Sequence, residues 1–151
     1  MSKILNMLMA FVMSFGISGS NVNPSDIPEN SNFEVHFIDV GQADSALIEC
    51  DGETMMIDGG NVADSNVVAA YLKKEDVTEL NYVVCSHAHE DHVGGLSGAL
   101  SVTKADNIYA PKTKANTKAY KNFKKKAEEQ NVEIKHPNVG DEIQLGSSMV
   151  E

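Results

Sequence analysis

The chain has 151 residues, 22 of them acidic and 12 basic, for a net charge of −10. That length suits one domain with an adequate core, and the acidic balance works against general binding of polyanions such as nucleic acid. All basic residues are lysines, and seven of the twelve (Lys112, Lys114, Lys118, Lys121, Lys124, Lys125 and Lys126) fall in one stretch without an acid, so the remainder is more negative still.

The first twenty residues have the composition of an export segment. Lys3 supplies a minimal positive start, Ile4 to Ile17 is mostly apolar, and Gly16, Ser18, Gly19 and Ser20 are small. Residues 1–20 are predicted to be a signal peptide or an uncleaved N-terminal anchor, which places the protein outside the cell or at its surface. The apolar run is short against the roughly 20 residues of a membrane span. Residues 21–32, rich in Asn, Ser and Pro, read as a flexible linker, and the domain is expected over 33–151.

From Phe33 the pattern is that of short strands. Phe33–Asp39 alternates, Ser45–Cys50 is a second strand, and Asp51-Gly52 is a hairpin signal before Thr54–Ile57. These three predict an antiparallel meander. Val67, Val68, Tyr71 and Leu72 then take helical spacing, so Val62–Lys74 is predicted helical with Asp64 or Ser65 as N-cap. Tyr82–Cys85 reads as a fourth strand, followed by a loop and a helix over about Val93–Leu100. A short strand at Asn107–Ala110 precedes a lysine-rich helix, Thr117–Gln130, whose apolar face is Ala119, Tyr120, Phe123 and Ala127. Val132–Lys135 and Glu142–Leu145 are the last predicted strands. The order predicts an α/β fold with a mixed sheet. The two cysteines, Cys50 and Cys85, each end an apolar run and read as core thiols.

The chemistry concentrates in Ser86-His87-Ala88-His89-Glu90-Asp91-His92-Val93-Gly94-Gly95, which holds three of the five histidines. Imidazole and carboxylate are the usual nitrogen and oxygen ligands of zinc and similar ions. In an extended segment His87 and His89 point to one side. Asp91 and His92 are adjacent and diverge. The spacing therefore suits two ions, His87 with His89 for one and Asp91 with His92 for the other. A helix starting at Val93 would aim amide groups at bound anions.

His87-Ala88-His89-Glu90-Asp91-His92 resembles the H-x-H-x-D-H signature of the metallo-β-lactamase superfamily. Phe37-Ile38-Asp39-Val40-Gly41-Gln42-Ala43-Asp44-Ser45 is similar to the opening of its ComEC-like, competence-protein branch, and Met56-Ile57-Asp58-Gly59-Gly60 to the superfamily strand that ends in aspartate. The resemblance implies an αββα sandwich of which this chain carries the first half. It implies two divalent ions, Zn2+ or alternatively Mn2+, held by His87, His89, Asp91 and His92. Asp91 would also position the attacking water. Asp58 would orient a ligand histidine, with Asp39 and Asp44 in support or acting only as turn formers. Ala43 stands where the branch often has glycine, a substitution that matters only if the position needs positive φ. Nothing after His92 matches the later ligand segments of the family, and His136 lacks their context.

The implied function is a metal-dependent hydrolase, with a phosphodiester as the expected bond. Alternatives are a carboxylic ester, thioester or lactam hydrolase, and a catalytically incomplete binding or assembly module. Lys112 to Lys126 would provide a basic track for nucleic acid or be an ordinary solvated helix face.

Overall fold

The computed structural model describes residues 32–151. The expected export segment (1–20) and nearly all of the linker (21–32) lie outside the described residues. Strands β1 (Phe33–Phe37), β2 (Ala46–Cys50) and β3 (Glu53–Ile57) form the antiparallel meander. Between β2 and β3, Asp51 and Gly52 both take positive φ, 51° and 87°. A two-residue turn of this hand matches the twist of the flanking strands.

After β3 the connections become crossovers. A 3-10 turn (Val62–Asp64) leads into α1 (Ser65–Lys74) and then β4 (Glu79–Val84), which pairs parallel to β3. Helices α2 (Glu90–Val93) and α3 (Leu96–Val102) return the chain to β5 (Lys104–Tyr109), parallel to β4. Helix α4 (Lys118–Glu129) returns it to β6 (Ile134–Lys135). The six strands lie in sequence order in one mixed sheet, and β7 (Ile143–Leu145) and β8 (Ser148–Val150) form a separate hairpin. The architecture is thus the α/β mixed-sheet type expected.

Several elements differ from the sequence reading. Strands β4 and β5 start three residues earlier than apolarity suggests, because Glu79 pairs opposite Lys104 and both polar residues extend the ladder. The helix expected at Val93–Leu100 is two helices, the first beginning at Glu90. Strand β8 has only three residues, and it exists by pairing with β7 rather than by its own pattern.

Helices α1, α3 and α4 cover one face of the sheet. Val68, Leu72, Leu96, Leu100, Tyr120 and Phe123 pack there on Leu47, Met56, Leu80, Val83 and Ile108. Helix α4 presents the expected face of Ala119, Tyr120, Phe123 and Ala127, and the Thr117 side chain caps it by accepting from the Tyr120 amide at 3.2 Å. Its lysines project outwards, Lys126 reaching Glu129 at 2.9 Å.

The other face is covered in part by the β7–β8 hairpin, with Cys50, Met55 and Leu145 buried beneath it. Strand β1 turns its apolar residues to this second face, where Phe33, Val35 and Phe37 stay 51%, 40% and 81% exposed. Both cysteines are free and buried, Cys50 on this side and Cys85 in the helix-covered core. Among the described residues no helix is long and apolar enough to cross a membrane.

Phe123 is fully buried where α4 meets the sheet. Phe123→Ala is expected to cost about 3–5 kcal/mol, read as a lowered midpoint in urea unfolding.

Candidate metal centre

The site begins with the backbone at the end of β3. Asp58 sits in the left-handed region with φ 55°, a conformation aspartate tolerates better than most residues. Its amide donates to the Val84 carbonyl at 2.9 Å, which ties the end of β3 to the end of β4. The segment after it is laced to the histidine loop. The Gly59 amide donates to the His92 carbonyl at 2.7 Å, and the Gly95 amide to the Gly60 carbonyl at 3.1 Å. A Cβ on Gly95 would overlap the Gly59 carbonyl oxygen, so the two segments meet at a distance only glycine permits.

Asp58 is 3% exposed, and three donors converge on its carboxylate. Oδ1 accepts from the Ser86 amide at 2.8 Å. Oδ2 accepts from the Ser86 hydroxyl and lies 2.8 Å from His92 Nδ1. Ser86 Oγ is also 3.0 Å from His87 Nδ1. A hydroxyl has one proton. With that proton on Asp58, Ser86 Oγ accepts from His87 Nδ1–H, and His92 Nδ1–H donates to Asp58 directly. Both rings are thereby set in the same tautomer, with Nε2 carrying a free lone pair. Asp58 orients two histidines, one directly and one through Ser86. The role of Ser86 was missed in the sequence, although its place next to His87 in the motif was visible.

His87, Asp91 and His92 offer ligand atoms that all lie within 4.8 Å of one another. His92 Nε2 is 3.7 Å from Asp91 Oδ2, and the His87 and His92 rings are 3.7 Å apart between centroids. This grouping departs from the pairing inferred from spacing. Asp91 and His92 are not on opposite sides of an extended segment, because α2 begins at Glu90 and carries both. His89 is the residue before that helix, exposed, with its ring 4.8 Å from that of His87. It borders the cluster rather than sharing it. The anion site expected at Val93 is also absent among the described residues, since Val93 is buried and ends the four-residue α2.

The remaining expected residues divide. The Asp44 amide donates to the Asp91 carbonyl at 3.3 Å, and the Asp44 carboxylate lies 3.7 Å from His92 Nδ1, so Asp44 stands at the site. Asp39 accepts from the Gly41 amide at 3.2 Å, a contact within its own turn. Positive φ in that turn falls on Gly41, at 72°, and not on Ala43. His136 Nδ1 donates to the Ala110 carbonyl at 2.8 Å, away from the loop. Cys85 is not available as a thiolate ligand: burial, then the nearby Asp58 charge, pushes its thiol up to about 12.

The donor set fits a divalent cation. Two imidazole Nε2 lone pairs and a carboxylate oxygen converge, their orientation is held by Asp58 and Ser86, and no lysine lies between Glu75 and Thr103 to compete. Comparison with known proteins agrees with this geometry. Residues 38–148 match the family model described as the Metallo-beta-lactamase superfamily. The chain belongs to that superfamily.

Among solved structures, the chain is similar to the metallo-β-lactamase SMB-1 in complex with mercaptoacetic acid, at 19% identity and a TM-score of 0.54. That match covers 76% of this chain and 48% of SMB-1. It is likewise similar to a HARLDQ-motif mutant of a Cronobacter sakazakii metallo-β-lactamase, at 17% identity and a TM-score of 0.56, covering 74% of this chain and 46% of that one. The chain therefore spans about half the length of these structures. A comparison with curated proteins finds no match.

Asp58→Asn keeps the shape of the side chain but sets an NH2 group against donors. It is expected to weaken Zn2+ binding by about 10–100-fold while leaving the circular dichroism spectrum unchanged, measured by competition with a chromophoric chelator. Ser86→Ala is expected to lose less, because the Ser86 amide still holds Asp58.

Proposed function

We propose that this chain is the metal-binding part of a metal-dependent hydrolase that opens a carbonyl bond: an ester, thioester or lactam. The observation that carries the hydrolase reading is the convergence of His87, Asp91 and His92 with both Nδ1 positions already occupied. A divalent cation there supplies Lewis acidity and lowers the pKa of water towards about 7. The chain's own residues do the rest. Asp58 and Ser86 fix the two rings. The Asp91 side chain, half open to solvent, can accept a hydrogen bond from the attacking water and set its direction. Asp44 brings a second carboxylate to the rim.

Two considerations support a carbonyl bond over a phosphodiester. The two solved structures compared above are metallo-β-lactamases by name. The segments that carry the site residues, Phe33–Leu72 and Glu75–Thr103, contain no lysine of their own for phosphate oxygens.

The phosphodiester reading keeps one specific support. The Phe37–Ser45 opening resembles the ComEC-like branch, and that opening delivers Asp44 to the site. We read the protein as exported, on the apolar run at Ile4–Ile17.

Parallel assays with Zn2+ or Mn2+ separate these readings. Turnover of nitrocefin or p-nitrophenyl acetate, abolished by EDTA and by His92→Ala, is the expected result. Turnover confined to bis-p-nitrophenyl phosphate would replace the carbonyl reading with the phosphodiester one. Hydrolysis that survives EDTA would sink both.

A further inference from the structure

The first two strands carry a second group of ligand-type side chains. Glu34 and His36 lie two apart on β1 and so share a face, and Glu49 on β2 is the register partner of Glu34. Their ligand atoms lie within 4.8 Å of one another. This face is the helix side of the sheet, where Tyr71 of α1 reaches His36 Nδ1 at 2.8 Å.

His36 is half-buried as a residue, but its Nε2 is closed off from solvent and has no hydrogen-bond partner. The nearest acid, Glu34 Oε2, is 3.6 Å away, too far for a hydrogen bond. An orphaned ring nitrogen beside two carboxylates is costly as it stands.

We propose that Glu34, His36 and Glu49 bind a divalent cation of the Zn2+ or Mn2+ class, at a site separate from the histidine loop. With His36 Nδ1–H donating to the Tyr71 hydroxyl, the Nε2 lone pair faces the carboxylates. This is the arrangement of a metal-ligating histidine, whose other ring nitrogen is normally held by an oxygen. The spacing also suits an ion. Ligand atoms about 2.1 Å from a tetrahedral centre stand about 3.4 Å from each other, close to the 3.6 Å between His36 Nε2 and Glu34 Oε2.

The surroundings favour a cation as well. Glu34 and Glu49 open onto a cleft of about 490 Å³ whose other ionisable lining residues are Asp51, Glu75, Asp76 and Glu79. No basic residue lines it. The cleft lies by Gly52, Thr54 and Thr78, where β3 and β4 begin, whereas the histidine loop lies where they end. A cation here would clamp the edge strand β1 to β2. Strand β1 runs directly into the segment that carries Asp44 to the site.

The test uses the full chain with the loop silenced by His87→Ala and His92→Ala, so its result does not depend on the hydrolase reading. Equilibrium dialysis against Zn2+ is expected to leave about one bound equivalent per chain, and Zn2+ is expected to raise the melting temperature. On that background Glu49→Gln is expected to weaken Zn2+ binding by more than about tenfold, since losing a ligand costs more than losing a partner behind one. Tyr71→Phe is expected to weaken it less. If Glu49→Gln lowers the melting temperature of the metal-free protein, Glu34→Gln at an exposed position serves in its place. The proposal is overturned if the silenced chain binds no Zn2+. It is equally overturned if binding is unchanged by Glu34→Gln, Glu49→Gln and His36→Gln together.

Discussion

The site depends on one buried carboxylate and the donors around it. Asp58 leaves β3 in a left-handed turn, and the Ser86 amide, the Ser86 hydroxyl and His92 Nδ1 all meet it. A carboxylate removed from water is expensive unless each oxygen is paired. Here the pairing is supplied by the loop that must be ordered for ligation. Strand, loop and metal cluster are thus energetically one object. If the loop moves away, Asp58 is stranded. If Asp58 is neutralised, two histidines lose their orientation. The parallel register of β3 and β4, with Ile57 opposite Val84, places the two ends side by side and makes this arrangement possible.

The sheet around this site is two-sided in an uneven way. One face is closed by three helices, and its buried residues form a continuous core. The other is closed only near β7 and β8. Strand β1 shows the asymmetry most plainly, since Phe33, Val35 and Phe37 look away from the helices while Glu34 and His36 look towards them. Apolar surface left in water forgoes about 25 cal/mol per Å². The matches take in 48% and 46% of the similar lactamases. The buried core of the helix-covered face runs from Ile38 to Ala127, and the ligand loop lies inside that span.

Much of this was legible in the residues themselves. Turn chemistry at Asp51-Gly52, alternation in β1 and the 3.6-residue face of α4 lead to the right elements because each is a local property. The loop was legible as a metal centre from its ligand types. Its internal grouping was not. The extended geometry that separates Asp91 from His92 fails once the chain turns helical at Glu90, and no residue there announces the turn: His89 makes no side-chain cap. The beginnings of β4 and β5 and the existence of β8 were hidden for a related reason, since cross-strand pairing supplies what apolar pattern does not. His36 sits in the alternating pattern of β1 with no ligand-type motif around it. Only the fold brings Glu49 and Tyr71 to it.

Charge ties these features together. Phe33 to Leu72 holds no lysine, and neither does Glu75 to Thr103. Every group that builds either ligand cluster therefore lies on a segment without lysine, and the cation beside the second cluster, Lys74, is paired with Glu75. An excess of carboxylates of this kind attracts divalent ions. It also disfavours a polyanionic substrate, because phosphate contacts dominate that affinity and need basic side chains close by. The lysines that could offer them are Lys112 and Lys114, before α4, and those on the outer side of α4, whose inner side is committed to the core through Tyr120, Phe123 and Ala127. Part of that group is already taken up locally, with Lys125 and Lys126 beside Glu129 and Lys124 over the Tyr120 ring. A carbonyl substrate makes no such demand. Its developing negative charge is a single oxyanion, which one well-oriented cation can meet. Asp58 and Ser86 spend their hydrogen bonds on orienting the rings that would hold that cation.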